Sequence, residues 1–283
     1  AATMENSYPQ TDISVDHLAA YLAYALRILK NCGLDCEGIT TPGGFGNRVK
    51  DKLPIAVHHA VRDVYASELP HYFKYVKGSD EVTEPTLEYT TEQKNVTDLT
   101  MNVPAGTGDW FGGWEGSKQS EPDRYCSADA TSGRMVELIK RGEPAVMLCH
   151  WPGMYCNGTK SGFKAFQRVV TSLQSEYSDR TVWMKVSEIG RYWAAKKLTR
   201  LTRQGETQVE IDAPLACRDF TVSIAADRIS NVPTLHSDED GKSRTALRRV
   251  DSRAALEEGT FMHHGDRLVA CIDMQKGKSR LVY

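Results

Sequence analysis

The sequence has neither a long hydrophobic run nor a strong excess of one charge. None of its apolar stretches approaches the roughly 18 residues that a membrane-spanning helix needs. Its 35 lysines and arginines nearly balance its 37 aspartates and glutamates, for a formal net charge of −2. Because such a balance does not favour a polyanionic partner, we expect neither nucleic acid binding nor a membrane span. The length of 283 residues suits one large domain, or a domain with a smaller one.

Neither the cysteines nor the first residues indicate a compartment. Cys32 and Cys36, two of seven cysteines, are separated by three residues instead of the two of a zinc knuckle or redox pair, and no second pair matches them. Scattered buried thiols are the favoured interpretation. The opening residues AATMENSYPQ lack the charged start and apolar core of a signal peptide. The chain does not begin with methionine, which is compatible with a processed or truncated form.

A helix is predicted near the start of the chain. Hydrophobic residues recur every three or four positions between Val15 and Asn31, which is typical of an amphipathic helix. This spacing places Leu22 and Leu26 on the buried face. Ser14 is positioned to cap the first turn, and Gly33 follows the last one as a stop signal.

From residue 143 to residue 193, short apolar runs alternate with amphipathic segments. The runs at 145–149 and 181–184 predict two short strands, the first one buried on both faces. Helical spacing between them predicts a helix with Val169 and Leu173 in the core. An order of strand, helix, strand and helix indicates a parallel α/β arrangement, in which functional residues collect where strands end.

His150 follows the first of these predicted strands and precedes the large aromatic residue Trp151. A histidine after an apolar run is often a structural residue with its hydrogen bonds satisfied in the core. The strand end, the adjacent indole and the glycine-containing loop that follows favour a functional interpretation instead. Since imidazole exchanges a proton near neutral pH, we expect His150 to be the residue that does chemistry.

Two glycine-containing loops carry the substrate-binding candidates. In TTPGGFG, at residues 40–46, glycine permits positive φ and close approach by a ligand, and a plain tight connection is the alternative. In GTGDWFGGW, at residues 106–114, aromatic rings suit the apolar face of a sugar, and a lid packed by its own aromatics is the alternative. The candidates for substrate binding are Pro42, Gly43, Trp110 and Trp151.

Several motifs resemble, in their order along the chain, the later part of a polysaccharide deacetylase-like (NodB-like) domain. They are TTPGGFG (40–46), GDW (108–110), MLCHW (147–151) and VWMKVSEIGRYW (182–193). That family is a distorted (β/α) barrel that uses a divalent metal to remove acetyl groups from amino sugars. The resemblance implies a carbohydrate-active hydrolase that removes acyl groups from a sugar substrate. It also implies that His150 donates a proton to the leaving group and that Asp109 supports this acid–base chemistry.

The sequence departs from the family pattern at two places. Thr40 stands where the family has an arginine that orients the catalytic acid. The family's metal site uses an aspartate of its first strand and two histidines spaced H-x-x-x-H, and this sequence has neither an Asp-Asp opening nor such a pair. A divalent metal, zinc or similar, is thus implied by the resemblance alone. A non-catalytic carbohydrate-binding or structural protein on the same scaffold is the alternative function.

The last part of the chain changes to alternating apolar and polar residues. Together with turn signals such as Asp240-Gly241 and Gly277, this alternation predicts a small antiparallel β module that resembles a sandwich. The expected fold is therefore α/β, with a partial or distorted (β/α) barrel over residues 1–203 and a β-rich module over residues 204–283.

Overall fold

The computed structural model describes residues 7–41, 43–93, 96–226, 231–237 and 243–283. Two compact units divide the chain, Ala1–Gly190 and Arg191–Tyr283, whereas the sequence placed the division after residue 203. The described residues form seven α-helices and thirteen strands, and these strands lie in three small sheets with no closed barrel. The predicted (β/α) barrel is therefore wrong, and the fold is mixed α/β. None of the helices in the described ranges is long and apolar enough to cross a membrane.

Helix α1 (Val15–Asn31) has the predicted bounds, cap and stop. The Ser14 hydroxyl accepts a hydrogen bond from the backbone N–H of His17, and Gly33 follows the helix with a φ of +76°. Leu22 and Leu26 are buried, as predicted. Their face of α1 packs in one core with helix α2 (Leu53–Tyr65).

The first sheet lies in the first unit and has the order β1-β2-β4-β3. Strands β1 (Gly38–Thr40), β2 (His71–Phe73) and β4 (Val96–Asn102) are parallel, and β3 (Thr86–Gln93) pairs antiparallel with β4. Tyr72 enters the core of α1 and α2. Since side chains alternate along a strand, His71 and Phe73 face the opposite side of the sheet.

The remaining helices of the first unit follow this sheet. They are α3 (Pro122–Tyr125), α4 (Arg134–Arg141), α5 (Trp151–Tyr155), a 3₁₀ turn (Cys156–Gly158), α6 (Ser161–Tyr177) and α7 (Val186–Leu198), which continues into the second unit. Val169 and Leu173 of α6 are buried, as predicted, in a core that includes Phe111 and Tyr125.

Neither predicted strand between residues 143 and 193 forms. Residues 145–149 have no regular secondary structure and are only partly buried or exposed, so the prediction of a strand buried on both faces is wrong. This segment is held by single hydrogen bonds, some of them to side chains, and a strand needs a continuous backbone ladder. Residues 181–184 are also outside any strand, and Val182 is 81% exposed. Their apolar character therefore does not reflect burial in a sheet.

The second unit is rich in strands. One sheet, β5-β6-β13-β8-β9, is antiparallel throughout, and the other has the order β10-β11-β12-β7. The prediction of a purely antiparallel module is wrong for one pair, because β10 and β11 are parallel. Asp240 and Gly241 lie outside the described residues. The strands are β5 (Arg200–Arg203), β6 (Gln208–Ala213), β7 (Cys217–Ala225), β8 (Thr234–Ser237), β9 (Ser243–Ala246), β10 (Arg248–Arg249), β11 (Thr260–His264), β12 (Arg267–Met274) and β13 (Gly277–Val282).

Candidate functional site

Two segments without regular secondary structure, 106–109 and 146–150, run side by side and position the candidate residues. The backbone N–H of Gly106 donates to the carbonyl of Val146 at 2.9 Å. Further along, the backbone N–H of Leu148 donates to Oγ1 of Thr107, a buried side chain, at 3.1 Å. The next contact in this series joins Asp109 to His150. Hydrogen bonds from backbone N–H groups to side chains therefore take the place of the predicted strand pairing. They bring together Asp109 and His150, which are 41 positions apart in the sequence.

The Asp109 carboxylate and the His150 imidazole form a hydrogen-bonded pair. Oδ2 of Asp109 lies 2.7 Å from Nδ1 of His150 and accepts the backbone N–H of His150 at 2.9 Å. Oδ1 of Asp109 accepts the backbone N–H of Phe111 at 3.1 Å. The Asp109 side chain is 6% exposed, whereas the His150 side chain is 33% exposed. Because Nδ1 is engaged by the carboxylate, Nε2 is the ring nitrogen that can exchange a proton with a ligand.

His150 does not end a strand, which corrects the prediction. It is the residue before helix α5 and has extended backbone angles, φ −120° and ψ 144°. Its backbone is nevertheless held firmly, since its N–H is bound to Asp109 and its carbonyl accepts the N–H of Met154. The imidazole therefore projects from a fixed point between an extended segment and a short helix.

Tyr125 links both segments behind the pair. Its hydroxyl accepts the backbone N–H of Trp110 at 2.7 Å and lies within donating distance of the carbonyls of Gly108 and Leu148, at 3.1 and 3.2 Å. Burial raises the pKa of Tyr125 and the charge of Asp109 adds to this, against the opposing effect of the Trp110 N–H. The phenol thus stays neutral and keeps the proton that it donates.

The aromatic residues around His150 differ from those that the sequence favoured. Trp114 meets the imidazole edge to face, with ring centroids 5.2 Å apart and an interplanar angle of 89°, and it is 69% exposed. Trp110 packs against Tyr125 instead, and the Arg124 guanidinium covers its ring at 4.3 Å. Trp151 is 76% exposed at the start of α5. Trp110 is therefore a packed residue behind the Asp109–His150 pair, whereas Trp114 and Trp151 have ring faces that are open to solvent.

Two glycines allow the loop that carries Trp114 to lie directly on α5. A Cβ on Gly153 would lie 2.8 Å from the backbone of Gly112 and Gly113, and a Cβ on Gly112 would lie 2.9 Å from Cα of Gly153. Gly112 also has a φ of +135°, a conformation that other residues rarely adopt. This close backbone contact places Trp114 beside His150.

The predicted candidates of the TTPGGFG loop have other surroundings. Pro42 lies outside the described residues. The carbonyls of Gly43 and Phe45 accept hydrogen bonds from Nζ of Lys74, at 3.5 and 2.6 Å. Burial lowers the pKa of Lys74, and the charge of Lys50 acts in the same direction. Lys74 therefore fastens the loop around Gly43.

The side chains present do not fit the divalent metal that the resemblance implies. Within the described ranges, no three side chains of His, Cys, Asp and Glu come together as metal ligands. Asp109 and His150 bind each other, which supplies at most two ligands at this place. We therefore assign no step of a reaction to a metal.

Tyr125, Thr107 and Trp114 are the site residues that the sequence interpretation missed. Trp114 lies in the glycine-rich loop that had already been singled out, so that loop was the available signal. Tyr125 and Thr107 carry no local signal, because their roles depend on contacts with distant segments. Comparison of the chain with protein-family models, with curated proteins and with solved structures found no match.

Proposed function

We propose that the chain is a carbohydrate-active hydrolase that removes acyl groups from sugars through the Asp109–His150 pair. The observation that carries the proposal is the 2.7 Å contact between Oδ2 of Asp109 and Nδ1 of His150. A nearly buried carboxylate behind a partly exposed imidazole is the arrangement that a proton-transferring histidine needs. The carboxylate orients the ring and selects the tautomer.

The proposed reaction moves one proton through Nε2 of His150. In the neutral ring, Nδ1–H donates to Asp109, and Nε2 takes a proton from water as the water oxygen bonds to the acyl carbonyl carbon. Asp109 stabilises the imidazolium that results. Nε2–H then donates this proton to the sugar nitrogen or oxygen as its bond to the acyl carbon breaks. The products are a carboxylic acid and the free amine or hydroxyl of the sugar.

Exposed aromatic rings close to the pair support a sugar as substrate. Trp114 contacts His150 directly, and Trp151 and Tyr155 are exposed on α5, the helix that His150 precedes. Flat rings open to solvent suit the apolar face of a pyranose. The sugar would thus lie within reach of the nitrogen that moves the proton.

The test is a hydrolysis assay of the whole chain on N-acetylglucosamine oligomers and on acetylated xylan, with and without added Zn²⁺. We expect His150→Ala to lower turnover by roughly 10²- to 10⁴-fold, the usual contribution of general acid–base catalysis. His17→Ala is the matched control, because His17 is exposed in the first turn of α1. Equal activity in His150→Ala would remove this residue from the mechanism.

A non-catalytic carbohydrate-binding protein is the second candidate. It is favoured by Trp114 and Trp151, whose exposed rings can hold a sugar without any chemistry. The described ranges also lack a group of three His, Cys, Asp or Glu side chains that could bind a metal ion. Titration calorimetry with the same sugars separates the two functions. Two results together would support the binding protein. The wild-type chain would be inactive with and without Zn²⁺, and Trp114→Ala would weaken its binding of sugar.

A further inference from the structure

An apolar cavity lies on the face of the first sheet opposite α1 and α2. Its volume is about 320 Å³, which lies within the ~300–1,000 Å³ range of small-molecule pockets. Phe73 from β2 and Val103 and Ala105, which follow β4, supply part of its wall. Residues 38–40 of β1, His71 of β2, residues 146–149 and Val186 at the start of α7 supply the rest. The wall is therefore mostly aliphatic and aromatic, and the cavity is far larger than the two carbons of an acetyl group require.

The cavity adjoins the Asp109–His150 pair through residues 148 and 149. Cys149, which lines the cavity, directly precedes His150 and is exposed. Partial burial raises the pKa of the Cys149 thiol, and the charge of Asp109 acts in the same direction. The hydrogen bonds of Leu148 to Thr107 and Tyr125 hold the cavity wall and the pair in one framework.

Besides Thr40 and Cys149, His71 supplies a polar side chain to the cavity wall. Its Nδ1 is buried and has no hydrogen-bond partner among the described residues. Its ring is pressed against the backbone of β1, since a Cβ on Gly38 would lie 2.6 Å from Cε1 and Nε2. Burial lowers the pKa of His71, against the opposing effect of Glu37, which keeps the ring neutral. A neutral ring is compatible with an uncharged ligand in the cavity. It repels a cationic ligand less strongly than a charged imidazolium would.

We infer that this cavity receives the acyl group of the substrate and selects acyl groups longer than acetyl. The inference rests on the proposed function, because it takes the carbonyl carbon at His150 as the point from which the acyl chain extends. Each buried CH₂ adds favourable transfer free energy that corresponds to an affinity gain of about fourfold. A chain that extends from the pair past Cys149 reaches the apolar wall of the cavity, whereas the sugar side remains with the exposed aromatic rings.

The first test compares kcat/KM for p-nitrophenyl acetate, butyrate and hexanoate. We expect the butyrate ester to exceed the acetate ester by on the order of tenfold, from two further buried CH₂ groups. Val186→Trp should abolish this preference by filling the cavity, so that kcat/KM for the butyrate and hexanoate esters no longer exceeds that for the acetate ester. Val146→Phe is a second filling variant, and Val182→Trp, at an exposed position outside the cavity wall, is the matched control. A preference for acetate, or a chain-length preference that neither filling variant changes, would overturn the inference.

The second test measures binding without turnover, so that the inference and the proposed function can fail separately. Titration calorimetry with hexanamide, a neutral acyl compound, is carried out on His150→Ala and on His150→Ala with Val186→Trp. If His150→Ala binds hexanamide and the added Val186→Trp removes this binding, the cavity is supported as an acyl site. This conclusion holds even if the wild-type chain hydrolyses no ester. Absence of hexanamide binding in both variants contradicts the acyl site, whatever the hydrolysis assay shows.

Discussion

Asp109 accepts two hydrogen bonds from a single residue, the backbone N–H and the ring Nδ1–H of His150. Both reach the same oxygen, Oδ2, while Oδ1 is held by the N–H of Phe111. The carboxylate thus fixes both the main chain of His150 and the orientation of its ring. A group that must move a proton at a defined atom needs this kind of double restraint, because free rotation of the imidazole would displace Nε2.

The first prediction concerns the charge of Asp109. Asp109→Asn keeps the size of the side chain but removes the charge that stabilises the imidazolium. We expect turnover to fall by roughly 10²- to 10⁴-fold, comparable with the loss of the histidine itself. Turnover of both chains on the same acetylated substrate checks this. Unchanged turnover in Asp109→Asn would make Asp109 a purely structural residue.

The second prediction separates two tryptophans of one loop. Trp114→Ala should weaken sugar affinity by roughly 2- to 12-fold, which corresponds to the ~0.5–1.5 kcal/mol of an aromatic contact. Its free energy of unfolding should change by less than about 0.5 kcal/mol, because Trp114 is 69% exposed. Trp110→Ala should lower the free energy of unfolding by roughly 2–4 kcal/mol, which is less than the loss expected when a fully buried tryptophan is replaced by alanine. Urea denaturation and sugar titration of both variants provide the measurements. Equal effects of the two substitutions on stability and on sugar affinity would refute a packing role for Trp110 and a sugar-binding role for Trp114.

The third prediction concerns stability at acid pH. His58 is buried, with Nδ1 3.2 Å from the carbonyl of Leu99, and burial lowers its pKa. The charges of Arg62 and His59 act in the same direction, while the Leu99 carbonyl and Asp98 oppose them. Below the ordinary histidine value of about 6.5, the unfolded chain therefore binds more protons than the folded one, and the free energy of unfolding decreases as pH falls.

Urea denaturation at pH 7.5 and at pH 5.5 tests this pH dependence. Half-buried His71, whose pKa is also lowered by burial, adds to the effect. We expect lower stability at pH 5.5 for the wild-type chain and a smaller difference between the two pH values in His58→Gln. His17→Ala, at an exposed position, should retain the full difference. An unaltered pH dependence in His58→Gln would show that His58 does not contribute.

The fourth prediction compares two glycines with different surroundings. Gly153→Ala puts a Cβ 2.8 Å from backbone atoms of Gly112 and Gly113, so the loop that carries Trp114 must move. We expect a loss of roughly 1–3 kcal/mol in the free energy of unfolding, as for overpacking, together with reduced turnover. Gly190→Ala is the control, since its Cβ would find its nearest neighbours at 3.5 Å or more and helix propensity favours alanine. Thermal unfolding of both variants measures the difference, and equal melting temperatures would contradict the close contact.

Local patterns predicted the elements that depend on neighbouring residues in the chain. Helix α1 has its predicted bounds because its hydrophobic spacing, the Ser14 cap and Gly33 all act within a few residues of one another. The burial of Val169 and Leu173 followed from the same helical spacing. The proximity of Asp109 and His150 was expected from resemblance and from the order of motifs. Nothing in the spacing of the two residues required it.

Strands and the rest of the site depended on tertiary contacts. Residues 145–149 have an apolar pattern typical of a strand, but a strand exists only where a partner completes a backbone ladder, and Thr107 provides a side chain there instead. Strand β3 arises in a polar stretch because β4 pairs with it.

The amino-acid sequence by itself determined helix α1, the apolar helix faces and the residue types present at the candidate site. Only the tertiary structure decided that Trp114 instead of Trp110 lies beside His150, because the backbone contact between Gly112 and Gly153 selects which ring is turned to the imidazole. It likewise decided that Tyr125 joins the two segments. Hydrogen bonds and ring contacts between distant residues require the chain to be folded, so no local pattern encodes them.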